Sequence, residues 1–339
     1  MGTSKRLAVL GLAVLSLYLC RTSGALRFLR ESIERGRMKN VLLIADTLQT
    51  GGHAPKASPD PTPTPTAEPT PLPAVPEEED KPPRPDEIRE TSIAGGLRIR
   101  NDTGYSVDAG SLLLAGPSLR LPAEGAQILI LHTHGSEAYT QAGLDRYEAN
   151  DSYRTEDTRH NIVRVGDELA ALLEAAGLHV VHDREIYDYP SYTGSYSRSG
   201  EAVERALREN PGIRIVFDIH RDALGTDGVI YKTMAEEEGA VASQLMLLVG
   251  TDASGLEHPD WRENLALALY LQEAVGRRHP TLLRPVELVE QRYNQHLAPG
   301  SLILEVGSSG NTLQEALAAI RLFADGAAPA LLALVEADS

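Results

Sequence analysis

Cysteine is almost absent from the chain: Cys20 is the only one in 339 residues. An internal disulfide is therefore excluded, and so is a thiolate metal cluster, so any metal must be held by His, Asp or Glu. Basic charge is also short, with 32 Lys and Arg against 48 Asp and Glu and a formal net charge of −16. The electrostatic footprint of a nucleic-acid binder is missing, and nucleic acid is set aside as a partner. No repeat period is visible.

Long apolar runs are scarce as well. The N-terminal run from Leu7 to Cys20 covers fourteen residues, whereas a bilayer core needs about 20 and tolerates about 17. Lys5 and Arg6 precede it and Arg21 follows, the charge arrangement of an export signal or of a signal-anchor with its N-terminus inside. The short run favours a signal peptide, with Ser23-Gly24-Ala25 as an acceptable cleavage site, while the charges fit a retained anchor equally well. A lipidated Cys20 is disfavoured by the bulky Leu17-Tyr18-Leu19 before it. Val41 to Ile44 is too short to cross a bilayer and reads as part of a juxtamembrane helix.

What is present divides the chain in three. Twelve prolines crowd between Pro55 and Pro85, with an acidic run from Glu77 to Asp80. No core can form there, and the tract reads as an extended, solvated spacer. The division is an N-terminal signal-anchor and juxtamembrane segment over 1–50, a Pro/Thr-rich disordered linker over 51–90, and a folded domain over 91–339. The 42% of hydrophobic residues can supply that domain with a sizeable core.

Within it, short apolar strands alternate with amphipathic helices. Strands are predicted at 128–131, 179–182, 213–219, 229–232, 245–249 and 302–306. Helices are predicted at 162–176, with Gly177 as the stop, and at 201–209, 261–277 and 313–323. The alternation argues for a three-layer α/β/α domain over roughly 120–335 with a mostly parallel central sheet.

In such a sheet functional groups gather past the carboxyl ends of the strands. Three strands carry candidates there: His132-Thr133-His134-Gly135, Asp218-Ile219-His220-Arg221-Asp222, and Leu304-Glu305-Val306-Gly307. Two histidines and a carboxylate with one open position make a catalytic zinc site, and a further glutamate can deprotonate the water. His134 and His220 are the expected ligands. The acidic ligand is expected from Glu156 or Asp157, just before the helix near Asn161; these two also suit a helix N-terminus, and Glu137, three residues past His134, remains open. His132 is expected to hydrogen-bond behind the ligands. Glu305, a lone carboxylate in an apolar run, is costly to bury unless it is paired or functional. Among the other histidines, His160, His179, His258 and His279 carry less information, and a surface role is expected for them. Tyr187, Tyr189, Tyr192 and Tyr196 cluster in a Gly/Ser-rich loop that either lines a groove for glycan or peptide or simply packs.

These segments together resemble the stage II sporulation protein P family, membrane-tethered peptidoglycan hydrolases of endospore-forming bacteria. The resemblance covers roughly 97–320. Among the segments that carry it are Ile99 to Asp108, His132 to Glu137, Asn161 to Asp167, Tyr196-Ser197-Arg198-Ser199, Phe217 to Asp222, His258 to Asn264, Tyr293-Asn294-Gln295 and Pro299 to Gly307. The family is similar in fold to zinc-dependent N-acetylmuramoyl-L-alanine amidases. That likeness implies Zn²⁺ as cofactor, His134 and His220 as ligands and Glu305 as the catalytic Glu of Glu-Val-Gly. Arg198, Arg221 and Asp222 are expected to orient the ligands or the substrate. It further implies an amidase cut between the lactyl group of muramic acid and L-alanine, and an endopeptidase cut in the stem-peptide cross-link. The implied partners are a lytic transglycosylase, stage II sporulation protein D, and a membrane scaffold, stage II sporulation protein M. The implied location is the engulfing septal membrane, with the catalytic domain outside the cytoplasm. A wall-binding module without chemistry and a zinc carboxypeptidase are the rival readings.

Overall fold

The computed structural model describes residues 87–337 apart from 92–96, 227 and 238. The expected signal-anchor and most of the expected linker lie outside the described residues. Among those described, no helix is long and apolar enough to cross a membrane.

In chain order the strands are β1 (Glu87–Thr91), β2 (Ile99–Asn101), β3 (Ile128–Leu131), β4 (Val180–His182), β5 (Ile215–Asp222), β6 (Gly225–Thr226), β7 (Val229–Glu237), β8 (Ala240–Ser243), β9 (Leu245–Gly250), β10 (Val286–Val289) and β11 (Gly300–Ser308). The helices are α1 (Ala109–Ala115), α2 (Ile162–Ala175), α3 (Ser195–Glu209), α4 (Trp261–Arg278) and α5 (Leu313–Leu332). The last residues of the expected linker therefore form a strand, β1, which pairs in parallel with β7.

The main sheet runs β2-β10-β9-β11-β5-β3-β4. It is parallel except where β9 meets β11 antiparallel. This one reversal matters for the site. It brings the N-terminal ends of β9, β10 and β2 to the same edge as the C-terminal ends of β3, β5 and β11. A smaller mixed sheet, β1-β7-β6 with β8 on β7, had no counterpart in the sequence reading beyond the strand at 229–232.

Strands β3 and β9 are buried at every position, as expected of strands covered on both faces. One face carries the main core. There α2 buries Ile162, Val165, Leu169 and Leu173 at helical spacing, and α4 and α5 add Leu265, Leu269, Ile320 and Phe323. On the other face α3 packs Val203 on Leu129, Leu131 and Val216. Over Met246, Leu248 and Ile303 the cover is Tyr293 from the loop after β10, not a helix.

Helix α5 runs past the expected end at Phe323 because Ala324, Ala327, Ala328 and Leu331 continue its buried stripe. A capping box fixes its start: the Thr312 hydroxyl accepts from Glu315 N, and the Glu315 carboxylate accepts from Thr312 N. Helix α2 starts at Asn161, whose side chain accepts from Val163 N.

The His258 to Asn264 segment proves to be a framework joint. Trp261 stacks on Tyr105 with ring centroids 5.0 Å apart, and the Arg262 guanidinium lies 4.2 Å from the Trp261 ring centre. Glu263 accepts from Leu119 N at 2.8 Å. Asn264 accepts from Ser301 N at 3.0 Å and donates to Gln295 O at 3.1 Å. His258, expected at the surface, is 1% exposed.

Candidate metal centre

Strand β3 ends at Leu131, and the chain turns immediately: the N–H of Glu137 donates to the His134 carbonyl at 3.0 Å. That turn folds Glu137 back beside His134. Strand β5 supplies His220, which lies opposite Glu305 in the parallel β5/β11 ladder. His134, Glu137 and His220 are all buried and offer ligand atoms that lie within 4.8 Å of one another.

His134 Nδ1 lies 3.6 Å from Glu137 Oε1, and His220 Nδ1 lies 3.5 Å from Glu137 Oε2. These separations are long for hydrogen bonds. They match the spacing of about 3.4 Å that bonds of 2.0–2.2 Å impose on neighbouring ligands of a tetrahedral ion. The surrounding charges agree. Burial disfavours an imidazolium at His220, but Asp218 and Glu137 outweigh it and hold the ring well above its usual pKa, so the pocket favours positive charge there. Burial likewise resists ionisation of Glu137, yet Arg221 and the two histidines keep it well below the usual carboxylate range. His134 Nε2 is buried without a hydrogen-bond partner. The donor set of two imidazoles and a carboxylate thus fits zinc.

The expected acidic ligand is corrected by this geometry. Glu156 is exposed, and Asp157 is spent on Arg159, accepting from Nε at 2.9 Å and Nη2 at 2.6 Å. Neither reaches the histidines. Glu137, the alternative that the sequence leaves open, does, through a reverse turn.

The supporting residues are specific. Asp218 accepts from Thr133 N at 2.8 Å and Thr133 Oγ1 at 2.6 Å. It places Oδ1 2.9 Å from His220 Nε2, close although off the hydrogen-bond axis. A carboxylate behind a ligand histidine orients the ring. Arg221 donates its backbone N–H to Glu137 Oε2 at 3.1 Å, and its guanidinium ties down the carbonyls of Ala138 and Tyr153. Arg154, which the sequence reading missed, bridges Glu137 and the fully buried carboxylate of Asp188. Asp188 in turn accepts from Ser136 N and Oγ. Nothing in the sequence around Arg154 marks it, whereas Asp218 sits two residues before His220 and so shares its face of the strand.

His132 points away from the ligands. Its Nδ1 lies 3.1 Å from the Ile219 carbonyl and its Nε2 lies 2.9 Å from His182 Nε2. Burial first, then the neighbouring His182 ring, pushes its pKa down to about 3, so the ring is neutral. Gly166 of α2 makes room for this pair, since a Cβ there would lie 2.5 Å from His132 Nε2 and 2.7 Å from His182 Nε2.

Glu305 stands one strand from His220, with Oε2 buried and unpartnered. Burial first, then the Asp222 carboxylate, pushes its pKa up to about 8. Asp222 itself pairs with Arg284 at 2.9 Å. Over the histidines lies Tyr192, stacked on His134 at 4.6 Å and 45% exposed, with the Arg154 guanidinium 5.2 Å from its ring centre. Tyr196 meets the His134 ring edge-on at 5.4 Å. Arg198 stays out of the centre and donates to the carbonyls of Tyr187, Ser191 and Thr193, clamping the tyrosine loop.

The family model described as stage II sporulation protein P matches residues 68–328. The chain belongs to the stage II sporulation protein P family. It is 28% identical over 209 residues to stage II sporulation protein P of Bacillus subtilis (strain 168), a match that covers 58% of this chain and 49% of that protein. The chain thus spans about half the length of the curated relative it matches. Among solved structures, this family member is similar to the N-acetylmuramoyl-L-alanine amidase AmiC2 of Nostoc punctiforme, with TM-score 0.37 and 15% identity over 62% of this chain and 97% of that one. It is also similar to the CwlD amidase of Clostridioides difficile, solved in complex with the GerS lipoprotein, with TM-score 0.36 and 15% identity over 61% and 99%.

Proposed function

We propose that the chain is a zinc-dependent peptidoglycan hydrolase that cuts the amide between N-acetylmuramic acid and L-alanine and also stem-peptide cross-links during sporulation. The observation that carries this is the buried His134, Glu137 and His220 group with the unpartnered Glu305 carboxyl one strand away. Family membership supports the substrate and the setting. His134, Glu137 and His220 would hold the ion. When bound, zinc supplies Lewis-acid polarisation of the scissile carbonyl and a positive charge that lowers the pKa of nearby water and of Glu305.

The protein's own groups do the rest. Glu305 Oε2 takes the proton of the attacking water and returns it to the leaving amine nitrogen. Asp218 keeps His220 in register, and Arg154 and Arg221 fix the Glu137 carboxylate. Tyr192 and Tyr196 pack against the His134 ring and hold it in place. The N-terminal run would tether the domain at the septal membrane, beside stage II sporulation proteins D and M.

Mass spectrometry of purified peptidoglycan incubated with the full chain, with and without chelator, tests the reading. Release of free stem peptides that stops on chelation and returns with Zn²⁺ is expected. Intact wall in both arms would leave a binding module, and loss of terminal residues alone would indicate a carboxypeptidase.

A further inference from the structure

Two non-glycine residues among those described have left-handed backbone, Tyr153 with φ 55° and Tyr293 with φ 52°. A bulky side chain seldom takes this conformation, because Cβ then crowds the adjacent carbonyl. It persists where the surroundings impose it, and such positions concentrate at functional sites. At Tyr153 the gain lies in the backbone, whose carbonyl accepts from Ala138 N at 2.9 Å and Arg221 Nη2 at 3.0 Å. At Tyr293 neither the backbone N–H nor the carbonyl bonds to a described residue. What that conformation delivers is the side chain.

The neighbouring residues impose it. Asn294 donates to the Tyr196 carbonyl at 2.8 Å and to Ser199 Oγ at 3.0 Å. Gln295 accepts from Gly250 N at 2.8 Å and donates to the Leu248 carbonyl at 2.9 Å. The loop is pressed so closely on β9 that a Cβ at Gly250 would lie 2.3 Å from the Gln291 carbonyl. Held this way, the Tyr293 ring lies on Met246, Leu248 and Ile303 and 5.3 Å from Tyr196, whose ring runs nearly parallel to that of His220. Ile303 and Glu305 share one face of β11, so the phenol lies on the side of the sheet that presents Glu305. Burial first, then the charges of Glu305 and Glu287, raises its pKa and keeps it protonated. Its hydroxyl bonds to no described residue.

We propose that Tyr293 binds substrate in the hydrolytic site, its hydroxyl donating a hydrogen bond to an amide carbonyl of the muramoyl peptide beside Glu305. A carbonyl oxygen is the fitting acceptor because a protonated phenol offers one O–H donor. The inference rests on the hydrolase reading above and is tested with Tyr293→Phe in the full chain in detergent. Three quantities are read: melting temperature, kcat/KM for wall digestion, and the dissociation constant for N-acetylmuramoyl-L-alanyl-D-isoglutamine. The expected result is an unchanged melting temperature with losses of about tenfold in affinity and in kcat/KM, the latter carried by KM. Unchanged affinity and turnover would overturn the assignment, and so would a fall in melting temperature that accounts for the loss. Wild-type protein that binds the fragment yet releases no amide product would refute the hydrolase reading alone, with the binding arm still deciding Tyr293. Wild-type protein that neither binds nor digests would refute both.

Discussion

Gly166 offers the sharpest test of how the framework supports the site, because two effects of opposite sign meet there. In a helix interior alanine is more favourable than glycine by about 1 kcal/mol. Against this, a Cβ at position 166 would stand 2.5 Å from His132 Nε2 and 2.7 Å from His182 Nε2. His132 cannot simply move aside, since its Nδ1 is engaged by the Ile219 carbonyl and the ring is fully buried. Overpacking of this kind costs about 1–3 kcal/mol, and parting the two rings leaves buried nitrogens unpaired at a further 1–3 kcal/mol. Gly166→Ala is therefore expected to destabilise by about 1–5 kcal/mol net, a fall of roughly 2–20 °C in melting temperature for a domain of this size.

Thermal unfolding of the full chain measures it, with His182→Ala and the double variant completing a cycle. Removing the His182 ring opens part of the space, so the double variant should be more stable than the sum of the single changes by at least about 1 kcal/mol. Because His132 braces the strand residue next to His220, activity should fall along with stability in Gly166→Ala. A melting temperature equal to or above that of the wild type would show that α2 has room at this point and would refute the close approach.

Glu305→Gln should fold, keep its metal and lose about 10²–10⁴-fold in turnover; metal analysis that finds the ion gone would make Glu305 a ligand instead. Glu137→Gln should lose most bound zinc in elemental analysis, while Asp157→Asn, which alters only the contact with Arg159, should retain it. His258 is held neutral by burial first and then by His296 and Arg292, against the weaker pull of Asp252, with its pKa pushed down to about 4. The unfolded chain takes up that proton below about 6.5, so the stability His258 contributes is complete above that pH and is lost as pH falls from 6.5 through 4. Denaturant titrations should show up to about 3 kcal/mol of pH dependence in this window, and it should shrink in His258→Gln.

The sequence made the strand-end groups legible for a plain physical reason. Apolar, β-branched runs such as Ile213 to Ile219 and Leu302 to Val306 announce buried strands, and a polar residue at their carboxyl ends stands out against them. His134, His220 and Glu305 stand out this way, and the structure brings all three to one edge of the sheet. Elements with weaker signals were missed. Strand β10 is four residues long with alternating burial and follows Pro285, and β2 has only three residues. The antiparallel junction between β9 and β11 leaves no mark in composition, yet it decides that Arg284, just before β10, reaches Asp222 at the site.

The expectation of Glu156 or Asp157 as the acidic member of the group shows where such reading stops. Glu156 and Asp157 precede a helix, a position where a carboxylate has an evident use, and that use was visible in one dimension. Glu137 has value only through a turn of three residues, and turns of that kind are set by tertiary contacts. Here the Glu137 carbonyl accepts from Ile162 N at 2.7 Å, Ala138 N donates to the Tyr153 carbonyl, and the Arg221 guanidinium closes over both. Three segments far apart in sequence thus fix one carboxylate. Asn161 is one of the joints: its side chain caps α2 and also donates to the Thr155 carbonyl at 2.9 Å, so the segment carrying Glu156 and Asp157 serves to hold the Glu137 turn in place. The motif around Asn161 then supports the His134, Glu137 and His220 group through its backbone and its amide, with no carboxylate of its own contributed.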